Sequence, residues 1–231
     1  MSNNNTAILI FTRTEAQESE QKDWGRRINK RGQRNIAKRF IQHTLATAKK
    51  TKLPVFTCFG TEQYGNSFGE KLTNAIEDVF SKGYNNVITI GNDTPNLSSD
   101  LILKANQLLN HKKFVLGPSQ DGGIYLLGIR KEAYIRDELV KMQWQTKYLI
   151  FDWKDSVQKL DHSISWLPEL LDIDDEKSLL EFLKGKQNIF LLNKIKNILG
   201  GFLNFFLKIN QIKQCSYIIR FSQLRAPPTL F

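Results

Sequence analysis

The chain has 231 residues, enough for one large α/β domain with an appendage, and its hydrophobic share of 41% is that of an ordinary globular protein. No apolar run approaches the roughly 20 residues of a membrane span, and Ala7 to Phe11 is too short and has no basic residue before it to serve as a secretory leader. A cytoplasmic protein is therefore expected. The net charge of +10 is weak support for a nucleic-acid partner, because seven basic and no acidic residues between Gly185 and Phe231 supply most of it.

Thr6 to Thr12 reads as a first strand, and the polar stretch Glu15 to Gly32, which has no period, reads as a loop. Gln33 to Lys50 is helical, with Ile36, Phe40, Ile41, Leu45 and Ala48 on one face. A short strand, Pro54 to Phe59, precedes a turn at Gly65 to Gly69 and a helix from Glu70 to Ser81 that ends near Gly83. Cys58 in that strand and Cys215 lie far apart without metal-ligand spacing, so both are expected as free thiols.

The stretch Val87 to Ser98 organises the chain. Val87 to Ile90 are β-branched and suit a strand buried on both faces. Gly91 ends the run, Asp93 falls where the strand opens into a loop, and Pro95 stiffens the exit. Ser98 or Ser99 caps a helix running from Leu101 to Asn110. In open parallel sheets ligands bind beyond the carboxyl ends of strands, where an acidic residue can hold a phosphate-bearing cation. Asp93 is either that residue or a turn residue bonded to its own backbone.

Phe114 to Leu116 is a strand broken at Gly117-Pro118, Gly122 to Ile129 is a further strand, and Lys147 to Leu160 is helical. Ser163 to Leu167 is a strand, and Asp174-Asp175-Glu176 opens a helix to Lys184. The alternation of strands and helices predicts a mostly parallel sheet covered on both faces. Beyond it, Ile189, Leu192, Ile195, Leu199, Phe202, Phe206 and Ile209 recur at helical intervals, interrupted near Gly200-Gly201. The expected division is a domain over 1–184 and a basic amphipathic helical extension over 185–231. That extension either packs on protein, a second copy included, or touches an anionic membrane surface.

Five stretches, in this order, carry a resemblance: Phe68-Gly-Glu-Lys-Leu-Thr-Asn-Ala75, Ile90-Gly-Asn-Asp-Thr-Pro95, Val115 to Ile129 with its Asp121-Gly-Gly123, Met142-Gln-Trp-Gln-Thr146, and Leu167 to Asp175. The chain from Thr6 to Lys184 resembles the domain-of-unknown-function 2064 family, of the nucleotide-diphospho-sugar transferase (GT-A type) group, and looks related to cytidylyl- and guanylyltransferases. The resemblance implies a three-layer α/β/α sandwich with a mostly parallel mixed sheet and a nucleotide-sized cleft. It further implies Mg²⁺ or Mn²⁺ on Asp93 and Asp174, with Asp93 and Asp121 as catalytic carboxylates. Asp174 has a plain alternative as a helix-capping residue, and Asp121-Gly122-Gly123 as a hairpin turn. Gly91, Asn92, Gly122 and Gly123 would border the nucleotide or acceptor. Gly69, Glu70 and Lys71, at a helix start, suit phosphate or a base edge. Trp144 and Thr146 would wall the acceptor pocket, although Trp144 suits the core equally.

The family's basic, glycine-containing loop after the first strand is replaced here by Arg13-Thr-Glu-Ala-Gln-Glu-Ser-Glu-Gln-Lys22, in which Arg13 and Lys22 remain and glutamates intrude. Arg26 and Arg27 either substitute for the missing charge or belong to a solvated helix face. The resemblance thus implies a metal-dependent glycosyltransferase or nucleotidyltransferase using a nucleotide or nucleotide sugar and a small acceptor. The altered loop favours a glycosyltransferase, or a donor with fewer phosphates. The alternative is a catalytically silent module of the same fold. No Gly-x-Gly-x-x-Gly follows the first strand, which sets aside a dinucleotide oxidoreductase.

Overall fold

The computed structural model describes residues 5–159 and 163–200. Its centre is a six-stranded sheet in the order β2-β1-β3-β5-β4-β6. The strands are β1 (Thr6–Thr12), β2 (Val55–Phe59), β3 (Asn86–Ile90), β4 (Phe114–Pro118), β5 (Ile124–Arg130) and β6 (Ile164–Trp166). Every residue of β1 and β3 is buried, as their apolar runs predict for strands covered on both faces. β5 alone runs against its neighbours β3 and β4; the other adjacent pairs are parallel. β4 and β5 form a hairpin, for which a tight turn at 119–123 suffices, whereas the parallel pairs require helical crossovers.

The period-two alternation of the strands builds the layers. Ala7, Leu9 and Phe11 face α3 (Phe68–Ser81) and α6 (Leu149–Lys159), with Leu72, Ile76 and Trp153 in one core. Ile8 and Ile10 face the opposite way, towards Ala48 of α2 (Lys30–Lys50) and Ile102 of α4 (Ser99–Leu108). This is the expected sandwich. A third cluster joins Trp24, Ile36 and Phe40 to α7 (Glu176–Lys184) and to Leu191, Leu192 and Ile195 of α8 (Ile189–Leu199). The start of the extension therefore packs against α2. The part of it from Gly201 onward lies outside the described residues.

Two helices are missing from the sequence reading and a third differs in its start. Glu15–Gln21 is a helix, α1, where a loop was expected. Thr14 and Gln17 form a capping box, and seven residues are too few to display a period. Arg136–Lys141 forms a short α5 that composition did not mark. α2 also begins earlier than expected, at Lys30, where the Asn29 side chain accepts from the Gly32 amide. No described helix is long and apolar enough to cross a membrane.

Candidate functional site

β1, β3 and β4 point the same way, so their carboxyl ends bring Arg13, Gly91–Asp93 and Ser119–Asp121 to one edge of the sheet. There they border a cavity of about 610 Å³. Of the residues expected at the site, Arg13, Lys22, Lys71, Gly91, Asn92, Asp93, Asp121, Gly123, Trp144, Thr146 and Asp174 line it. Gly69, Glu70 and Gly122 stand outside the lining. Glu70 accepts from the Asn66 amide at 2.6 Å and completes the capping box of α3 with Ser67. Gly69 gives α3 close approach to the Val140 backbone, since a Cβ there would come within 2.6 Å of the Val140 carbonyl oxygen.

The loop after β3 is held from several directions. The Thr12 hydroxyl donates to Asn92 Oδ1 at 2.5 Å, and the Ile173 amide donates to the Asp93 carbonyl at 2.8 Å. The Pro95 carbonyl accepts from Asn188 Nδ2 at 2.7 Å and from His43 Nε2 at 2.9 Å. Asp121 is shaped by its own turn: Ser119 Oγ and the Gly123 amide both donate to its Oδ1, at 2.6 and 2.9 Å. On the far wall, Trp144 Nε1 donates to the Leu139 carbonyl, and its ring lies 5.6 Å from that of Phe68. Trp144 thus serves both core and cavity.

Charge is concentrated at the floor. The Lys22 ammonium donates to Asp93 Oδ2 at 3.3 Å and to Asp174 Oδ1. Burial opposes its charge, but Asp93, Asp174 and Glu18 outweigh that and hold its pKa above the ordinary lysine value. Glu18, delivered by α1, is buried, and this raises its pKa although Lys22 and Arg13 act against the rise. Two residues before Asp174, Asp172 accepts from the Thr94 hydroxyl. Burial first, and Asp93 second, push its carboxyl up to about 8.

Among the described residues, Asp121, Asp172 and Asp174 each offer an oxygen, all within 4.8 Å of one another. These are hard donors of the kind Mg²⁺ and Mn²⁺ take, and the crowding that burdens Asp172 is what a cation would relieve. The sequence reading passed over Asp172 and Glu18. The signal for Asp172 was the alternation Asp172-Ile173-Asp174, which in extended chain sends both carboxylates to one side while Ile173 is fully buried on the other. Glu18 carried no such signal.

The geometry can be set beside known proteins. A protein from Desulfovibrio desulfuricans, provisionally named a nucleotide-diphospho-sugar transferase, superposes with a TM-score of 0.75 at 20% identity, over 85% of this chain and 97% of that one. The 4-diphosphocytidyl-2C-methyl-D-erythritol synthase of Anaerococcus prevotii gives a TM-score of 0.49 at 12% identity, over 78% and 97%, and adds nothing to the argument. No curated protein matches the chain. The model of a family described as "Uncharacterized protein conserved in bacteria (DUF2064)" matches residues 33–146, the segment that holds α2 to α5 and the loop of Asp93. With the fold shared, the resemblance read from the motifs is borne out: residues 33–146 of this chain match the model of the DUF2064 family.

Proposed function

We propose that the protein is a metal-dependent transferase using a nucleotide-activated donor bound in the cavity beyond the ends of β1, β3 and β4. The observation that carries this reading is the convergence of Asp93, Asp121, Asp172 and Asp174 on one nucleotide-sized cavity. Asp174 with Asp172, and Asp93 beside them, would hold Mg²⁺ or Mn²⁺, leaving Asp121 at the rim free of the ion. Such an ion supplies neutralisation of the charge that develops on the leaving phosphate. The chain's own part is positioning. Trp144 and Phe68 offer aromatic faces along one wall, and Arg13, Lys71 and Lys147 offer cationic contacts to phosphate oxygens. An acceptor oxygen forms the new bond to the transferred group as that group's bond to the nucleoside phosphate breaks, the nucleoside phosphate departs with the bonding pair, and Asp121 stands at the rim to receive the acceptor's proton.

The charged lining of the cavity holds Arg13, Lys22, Lys71 and Lys147 against Glu18, Asp93, Asp121, Asp172 and Asp174. With Lys22 bonded to two of those carboxylates, little positive charge is left for a triphosphate. This supports a nucleoside diphosphate donor, such as a nucleotide sugar, over a nucleoside triphosphate. The same glutamate-bearing α1 favours a second reading, a ligand-binding module without turnover.

Calorimetry of nucleotides and nucleotide sugars with and without Mg²⁺ or Mn²⁺ tests the first reading. Binding should require the metal, and Asp93→Ala should abolish the metal-dependent part while circular dichroism stays unchanged. Unaltered metal-dependent affinity in that variant refutes the role of Asp93. Binding without product release on any acceptor leaves the second reading.

A further inference from the structure

Lys22 caps the carboxyl end of α1, one turn after Glu18. Its side chain is only 8% exposed, and its ammonium rests on Asp93 and Asp174 together. A divalent ion drawing on those two carboxylates and the ammonium cannot share the same oxygens. The second feature lies beside it. Glu18 lines the same cavity with a side chain only 4% exposed, and its Oε2 has no hydrogen-bond partner among the described residues. Its other oxygen, among the described residues, reaches only Arg13, at a loose 3.8 Å. A buried carboxylate oxygen left unpaired is costly, and such an atom calls for an explanation in another state of the protein.

The spacing provides that state. Lys22, the residue that caps α1, follows Glu18 by one turn with its amide bonded to the Glu18 carbonyl, and a lysine stem swings between partners by rotating its own bonds, with no movement of the backbone. We propose that Lys22 is a tethered cation that competes with the divalent ion for Asp93 and Asp174, and that Glu18 receives its ammonium when the metal enters. The proposal rests on the metal-dependent reading above and adds what sets the site's affinity for the ion. Before loading, Lys22 keeps the carboxylates from repelling one another. After loading, the pair with Glu18 keeps the ammonium inside the cavity, beside the phosphates it would next meet. Lys22 is in this sense a positioning residue for the ion.

The test is Mn²⁺ titration of the full-length protein by calorimetry, without nucleotide. A charge-assisted hydrogen bond lost from the competing state should tighten Mn²⁺ binding by about tenfold or more in Lys22→Met. Glu18→Gln should weaken it in the wild-type background and have no effect once Lys22 is gone, a coupling that a double-mutant cycle reads directly. Lys22→Met leaves Glu18 buried without its cation, so Glu18→Gln/Lys22→Met, neutral at both positions, provides a second comparison and should also bind Mn²⁺ more tightly than wild type. Unchanged or weaker binding in both Lys22 variants overturns the competition. A Glu18→Gln effect of equal size in both backgrounds overturns the receiving role of Glu18. If neither wild type nor any variant binds Mn²⁺, the metal-dependent reading itself falls, an outcome distinct from the other two.

Discussion

Ile173 decides where Asp172 points. With the isoleucine fully buried in the cluster around Trp24, the residues on either side of it leave the chain towards the cavity. Asp172 is thereby held among Asp93 and Asp121, and its pKa rises from the ordinary aspartate value to about 8. Between roughly pH 4 and pH 8 the folded state therefore binds more protons than the unfolded chain, and stability falls as pH rises through that window. Asp172→Asn removes this dependence. In the presence of chelator the variant should melt higher than wild type at pH 8, with little difference at pH 4, and it should bind Mn²⁺ more weakly. A wild-type melting temperature that stays flat across the window, while the variant shows no gain at pH 8, would contradict the burial of this carboxyl. The residue is a case of a site carboxyl placed where its ionisation costs fold stability.

At the level of elements, the segments around the cavity owe their shape to short local devices. The Thr14–Gln17 capping box starts α1 directly after β1, which turns Glu18 and Lys22 inward where an open loop would leave them outside. The β4–β5 turn is a similar device. Gly122 has φ of +93°, and a Cβ placed on it would lie 2.9 Å from both the Cα and the carbonyl oxygen of Lys147. The sequence reading expected this glycine to border the ligand. It packs instead against the Lys147 backbone, while Gly123 lines the cavity. Gly122→Val is thus expected to cost stability first, on the order of 1–3 kcal/mol from left-handed backbone and close contact together. Chemical denaturation measures that loss. Full stability with impaired nucleotide binding would instead return the residue to the ligand side.

Across the whole molecule, α2 lies between two cores. One side of it faces the sheet through Ala48, and another meets α7 and α8 through Ile36 and Phe40. Leu191, Leu192 and Ile195 of α8 are buried in that second core, and Asn188 just before the helix holds the Pro95 carbonyl. From the sequence, residues after Lys184 read as an extension of the domain that packs on protein or touches a membrane. Burial of three such side chains contributes about 1.5–3 kcal/mol each, a large part of an ordinary domain's 5–15 kcal/mol. A chain ending at Lys184 should therefore melt well below the full-length protein, expose the Trp24–Phe40 face, and respond less to nucleotide because the Asp93 loop loses Asn188. Differential scanning calorimetry and light scattering on that truncation check this. A truncated chain that melts as the full one does would show α8 to be an accessory.

The sequence by itself determined what local chemistry controls. β-branched runs specified β1 and β3, apolar periodicity specified α2 and α3, and the Gly91–Pro95 punctuation placed Asp93 at a strand end. The ordered motifs then carried the family and the sandwich. Tertiary structure decided the rest, because it depends on which strands become neighbours. The turn at Asp121-Gly122-Gly123 accounts for the reversal of β5 against β4, but the placing of β5 beside β3, to which it is not joined in sequence, is encoded in no single segment. Lys22 meets Asp93 and Asp174 from 71 and 152 residues away. No window of sequence holds both partners, so their meeting and the buried charge it creates arise only once the sheet has brought the strand ends together.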